Sequence, residues 1–234
     1  MNGAFELPTI VFLVLAVLII ARLVSVLGRK TGNERPIGTT RRSDTDNVIP
    51  MPRSGREAAG VSTAQDRDAK SAEDRIKGAA QEGSPLEAGL LAIARQDVSF
   101  DPKGFLKGAS AAYEMIVMAF ADGERRQLKS LTSKDVFDGF IGAIAERERR
   151  GETNKTTFIG IHKSDIIDAE IKDSIAKMTV KFLSQMITVI RDKTGRIIEG
   201  DPAQVRDVTD IWTFARDVTS RDPNWKLVGT QSAN

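Results

Sequence analysis

Hydrophobic and polar positions fall into three successive regimes along the chain. From Leu7 to Leu27 the apolar run is almost unbroken: Ile10 to Ala21 reads IVFLVLAVLIIA, and Arg22 is the one charge in the whole stretch. A helix rising about 1.5 Å per residue needs about 20 residues to cross a hydrocarbon core roughly 30 Å thick, so the run predicts a single transmembrane anchor at 7–27. Arg29 and Lys30 follow it, whereas residues 1–6 contain no Lys or Arg. The positive-inside bias therefore leaves residues 1–6 outside and sends the remainder to the cytoplasm. Those flanks do not fit a cleaved secretory signal, which wants its positive charge first. Arg22, near the inner end, reaches the headgroups by snorkelling.

Periodicity is lost from about Gly28 to Gly83. Arg29, Lys30, Arg35, Arg41, Arg42, Arg53 and Arg56 outnumber Glu34, Asp44 and Asp46, and Pro36, Pro50 and Pro52 interrupt any helix. A stretch so poor in apolar groups cannot offset the entropy of ordering, so 28–83 is expected to be a flexible tether with weak attraction to anionic lipid. Ala-rich, evenly charged residues 65–81 are compatible with a marginal, solvent-exposed helix.

Regular patterning resumes at Ser84 and continues to Asn234, a length able to bury about 70% of the unfolded surface around one core. Ser84-Pro85 with Glu87 is a helix start, and Leu86, Leu90, Leu91 and Ile93 supply its apolar face. Asp101-Pro102 opens a second helix with a stripe through Phe105, Leu106, Ala109, Tyr113, Ile116 and Phe120, ended by Asp122-Gly123. Ser133 opens a third, carrying Phe137, Phe140 and Ile144 and closing in the cations Arg147, Arg149 and Arg150, which suit the negative end of its dipole. The period then changes to two. Ile159, Ile161, Ile167, Ala169 and Ile171 share one phase, with a break expected near Lys163-Ser164; His162, Asp168, Glu170 and Lys172 share the other. Met178, Val180 and Phe182 alternate with lysines and Thr179. Both phases turn apolar from Leu183 to Ile190, implying a bulge or burial on both faces. Val208, Trp212 and Phe214 mark another strand, and Asn224 to Thr230 the last. Helices first and antiparallel strands after define an α+β domain: three helices on a curved sheet of about four strands with a concave apolar side.

Composition narrows the chemistry. The chain has 234 residues, a net charge of +2, one His and no Cys. Thiolate metal sites, iron–sulfur clusters and cysteine nucleophiles are thereby excluded, and any His-based triad must use His162. No cofactor or metal is expected.

Two blocks, FDPKGFLKGASAAYEMIVMAFADGERRQLKSLTSKDVFDGFIGAI (Phe100 to Ile144) and DVTDIWTFARDVTSRDPNWKLVGT (Asp207 to Thr230), resemble the most distinctive parts of the Tim44-like domain family. The resemblance implies an α+β cone related to nuclear-transport-factor-two-like folds, with an apolar pocket lined here by Tyr113, Val180, Phe182, Trp212 and Phe214. It also implies a non-enzymatic role. The family's mitochondrial representative scaffolds an import motor, meets cardiolipin-rich membrane through the opening helices of this domain, and tethers a heat-shock chaperone to a translocase. Transferred to this sequence, the membrane- or lipid-contacting residues are Leu86, Leu90 and Leu91 in the first helix, with Phe100, Phe105 and Leu106 at the second. Lys103 and Lys107 add cations beside them, as an interfacial segment requires. A span and a short tether stand here in place of the mitochondrial protein's long N-terminal half. The expectation is a single-pass protein of a bacterial inner membrane, its domain holding a chaperone or a translocation or envelope-assembly factor.

Other chemistries are weaker. Asp168 and Glu170 project from one strand face, as a carboxylate pair for a lyase or isomerase would, yet Lys172 beside them suggests a surface ion-pair row. Asp207 and Asp210 fall on opposite faces. Gly139, Gly142 and Gly151 lie within or after a helix and form no phosphate loop. Arg125, Arg126 and Lys129, like Arg147, Arg149 and Arg150, are diluted by Glu124, Glu146 and Glu148, so no nucleic-acid partner is expected. Occupation of the pocket by a lipid or small ligand, as in a sensor, is the main alternative to an adaptor.

Overall fold

The structure is a computed structural model that describes residues 71–232. The anchor at 7–27 and the tether up to residue 70 lie outside the described residues; among those described, no helix is long and apolar enough to cross a membrane. A helical segment at 71–76 comes first. Then follow α1 (Pro85–Gln96), α2 (Pro102–Asp122), α3 (Arg125–Leu131), α4 (Lys134–Arg149), β1 (Thr153–Lys172), β2 (Ile175–Arg191), β3 (Ile197–Gly200), β4 (Arg206–Asp217) and β5 (Lys226–Ser232). The strands form one antiparallel sheet ordered β1-β2-β4-β5, with β3 paired to the end of β2 beyond β4.

Each predicted helix start is made by its capping side chain. Ser84 accepts from the Glu87 amide while Glu87 accepts from the Gly83 amide; Asp101 accepts from Lys103 and Gly104; Ser133 accepts from Val136. Gly123 ends α2 in the left-handed region at φ 73°. The helix C-termini are completed by cations from other elements: Arg75 on α1, Arg147 on the Phe120 and Ala121 carbonyls of α2, and Lys226 on the Ser130 carbonyl of α3. Such carbonyls have no intrahelical partner and carry partial negative charge, so a cation satisfies both deficits.

Two elements escape the sequence pattern, the seven-residue α3 and the four-residue β3, both too short to show a period. The single phase expected of β1 is also corrected. Its ladder with β2 slips at Phe158/Gly160, Ile161/Lys163 and Ile166/Asp168. Each slip admits one extra residue and reverses the phase. Ile161, Ala169 and Ile171 therefore face the core, whereas Ile159 and Ile167 are exposed. The strand is bent rather than broken at the expected interruption. From Leu183 onward β2 keeps its period, and Val189 on the convex side is buried as well, so burial on both faces explains that apolar run.

Helix α1 lies on β1 with its backbone close against the strand at Gly89. A Cβ at Gly89 would stand 1.9 Å from the Ala169 carbonyl oxygen. The β1–β2 connection is a two-residue turn at Asp173 and Ser174, with φ 48° and 64°, the left-handed pair that suits a tight hairpin. The core also reaches into residues assigned to the tether from sequence: Ala72 and Ile76 are buried in it. Gly89→Ala is expected to destabilise the domain by about 1–3 kcal/mol through overpacking, against the roughly 1 kcal/mol that Ala gains over Gly in a free helix. Chemical unfolding of the variant checks the sign.

Candidate functional site

The concave side of the sheet is built by one phase of each central strand. In β2 it comprises Ala176, Met178, Val180, Phe182, Ser184 and Met186; opposite them on β4 stand Arg216, Phe214, Trp212, Asp210, Val208 and Arg206. Helix α2 lays Phe105 and Tyr113 across this face. The Tyr113 ring stacks on Phe182 with centroids 4.5 Å apart and meets Trp212 at the same distance. Phe105 packs edge-on to Phe214 at 6.1 Å and to Trp225 at 4.8 Å. Edge and tilted contacts of this kind add to the area term.

Three polar side chains lie within this aromatic layer. The Tyr113 hydroxyl donates to Asp210 Oδ2 at 2.8 Å and is 2.8 Å from Ser184 Oγ, so Ser184 supplies the proton of that second bond. Ser232 donates to Asp210 Oδ1 at 3.2 Å. Burial holds the Asp210 carboxyl above its ordinary value, the two hydroxyls pulling it back down. Burial first, then the Asp210 charge, raises the Tyr113 phenol, which keeps its proton and serves as a donor. At the other end of the concave face Asp97, from the α1 C-terminus, forms an almost fully buried ion pair with Arg216. The Arg216 guanidinium also lies over the Trp225 ring at 5.3 Å.

The five residues assigned to a pocket, Tyr113, Val180, Phe182, Trp212 and Phe214, do come together, and all are buried. Tyr113 packs on Phe182 and Trp212, Trp212 meets Phe214 at 6.3 Å, and all five belong to the buried core cluster. Of the residues expected at a membrane, Leu90, Phe100 and Phe105 are buried in that core, a correction with a simple cause: the stripe that could face lipid is the stripe that seats α1 and α2 on the sheet. Leu86, Leu91 and Leu106 are half-buried against it, and Lys103 and Lys107 are exposed. His162, Asp168 and Glu170 are exposed on the other side, with Glu170 paired to Lys177 at 3.0 Å. Asp207 and Asp210 do lie on opposite faces. Among the described residues no group of His, Asp and Glu could hold a metal ion. The concave face thus offers a buried Tyr113–Asp210 pair with the Ser184 hydroxyl beside it.

Ser184, Asp210, Asp97 and Arg216 were not singled out from sequence as partners. A signal existed: Asp210 and Arg216 occupy the apolar phase of β4, and a charge in that phase requires a partner on the facing element.

The domain is thus a helix-backed, curved antiparallel sheet of the α+β class. Residues 86–232 match the Tim44-like domain, and the chain belongs to that family. Similar proteins include the human mitochondrial import inner membrane translocase subunit TIM44, 23% identical over 148 residues, and the probable Caenorhabditis elegans subunit tin-44, 24% identical over 143 residues. Those matches cover 62% and 59% of this chain but only 33% and 34% of the relatives. Among solved structures, the intermembrane space region of the chloroplast protein ARC6 aligns over 57% of this chain and 96% of its own, at TM-score 0.42 and 14% identity. A conserved protein from Planctomyces limnophilus DSM 3776 aligns over 56% and 99%, at TM-score 0.32 and 15% identity.

Tyr113→Phe removes the hydroxyl between Ser184 and Asp210 and is expected to cost about 1–3 kcal/mol in urea unfolding, the price of leaving buried partners unsatisfied. The sign of the Asp210 contribution follows from its raised carboxyl. The folded state holds that proton more tightly than the unfolded chain, so the contribution is complete below the ordinary carboxylate range near ~4 and is lost as pH rises through the raised folded value. Asp210→Asn should therefore gain stability relative to the native protein as pH rises above about 4, read from paired unfolding curves.

Proposed function

We propose that this protein is a non-enzymatic adaptor that holds a protein partner beside a bacterial inner membrane. Residues 7–27 form its single span, 28–70 its tether, and the described domain its docking body. The partner is a chaperone or a translocation or envelope-assembly factor. The observation that carries this reading is membership of the Tim44-like family over 86–232, behind an apolar run long enough to span a bilayer. The relatives named above are, by name, subunits of an inner-membrane import translocase, and this chain corresponds to about a third of each.

Physical chemistry supports the adaptor over a lyase or isomerase. Asp168, Glu170 and His162 are exposed on the convex side, and Glu170 is taken up in an ion pair with Lys177. A tether also sets a local concentration for whatever the domain binds, which raises encounter rates without any new contact. Lipid contact, in this reading, falls to exposed Lys103 and Lys107 and to the accessible parts of Leu86, Leu91 and Leu106.

In cells, the full chain is expected to resist alkaline extraction from membranes, while a chain lacking residues 7–27 passes to the soluble fraction. Photocross-linking from the domain surface should yield one discrete protein adduct that depends on the anchor. Release of the intact chain by plain buffer would sink the anchor. Turnover of a metabolite lost in Asp168→Asn or Glu170→Gln would sink the non-enzymatic assignment.

A further inference from the structure

The family match opens at residue 86, but the packed body opens earlier. In the segment 71–76, Ala72 is wholly buried and Ile76 is 4% exposed, four residues apart on one helical face. Arg75, between them, reaches out of the segment. Its Nη2 donates to the Ala94 carbonyl at 2.7 Å, and its Nη1 donates to the carbonyls of Asp97 at 2.9 Å and Phe100 at 3.1 Å. These acceptors lie at the end of α1 and in the loop after it, where the helix leaves carbonyls without amide partners.

The same loop is gripped from its other side. The Asp97 carboxylate pairs with Arg216 and accepts from Ser99, so residues 97–100 run between two guanidinium groups. The loop in turn sets Phe100 against Trp225, centroids 6.3 Å apart. Helix α2 has an independent hold on the sheet through Tyr113, whereas α1 rests on β1. The exposed Glu73–Arg95 pair, at 4.0 Å, adds little to the strap.

We propose that residues 71–76 are a strap that locks α1 and the α1–α2 corner onto the domain through Arg75. Displacing the strap frees α1 from β1 while α2 and the sheet remain folded. The 70 residues ahead of the strap therefore join the domain at a releasable element. This device stands whether or not the adaptor reading does, because it concerns only how the body is closed.

Hydrogen exchange on the full chain tests it. In Arg75→Ala, amides of 86–100 should exchange about tenfold faster or more, with 176–186 and 208–214 unchanged, the pattern of local rather than global opening. Unchanged exchange at 86–100, or equal acceleration throughout, would overturn the proposal. Because the chain has no Cys, Ala72→Cys gives a single thiol that reports on the strap alone. Its labelling in the Arg75→Ala background should speed up by the same factor as exchange in 86–100; labelling that accelerates without that exchange would also overturn the coupling.

Discussion

Tyr113 is the side chain on which the domain depends. Its ring packs against both Phe182 of β2 and Trp212 of β4, and its hydroxyl joins Ser184 to Asp210. One residue thus supplies both the apolar seat that holds α2 to the sheet and the hydrogen bonds that make a buried carboxylate tolerable. Full burial of such a ring contributes about 1.5–3 kcal/mol from area alone. The polar pair gives direction, since a hydroxyl aimed at a serine and a carboxylate fits only one placement of the helix along the strands.

A second constraint is the recurrent use of cations at helix ends. Arg75, Arg147 and Lys226 each leave their own element to meet the terminal carbonyls of α1, α2 and α3. The helices are thereby tied end to side instead of by extended helix–helix faces. Arg147 adds a contact over the Phe120 ring at 5.7 Å, and Arg216 does the same over Trp225. Guanidinium suits both tasks, since its edge donates in a fixed fork while its face stacks on an aromatic ring. The buried Asp97–Arg216 pair is the costliest instance: each charge is tolerated only because the other is present, so the C-terminus of α1 and the inner face of β4 cannot be altered separately.

These contacts decide which side chains the domain buries and which it exposes. Tyr113, Val180, Phe182, Trp212 and Phe214 are buried on the concave face, and Asp168 and Glu170 are exposed on the convex one. The accessible exterior is mixed: lysines, arginines and carboxylates pair with one another, and isoleucines such as Ile159 and Ile198 stand exposed among them.

Much of this was legible in the sequence. Ser84, Asp101 and Ser133 with their following residues located three helix starts, because capping is a local interaction within four residues. The alternation in β2 and β4 located the concave face, because side-chain direction in an unbroken strand follows residue parity. The family motifs located the domain. Three bulges in β1 were not legible, since inserting a residue is decided by the ladder partner and by sheet curvature, and they sent Ile159 and Ile167 to solvent. Nor could periodicity tell a membrane-facing apolar stripe from a core-facing one, as the same leucines and phenylalanines satisfy either apolar surrounding; packing against the sheet decided it. The pairings of Arg75 with α1, Asp97 with Arg216 and Tyr113 with Asp210 join residues up to 119 positions apart. No local rule carries that information, and only the tertiary fold brings each charge to the partner that permits its burial.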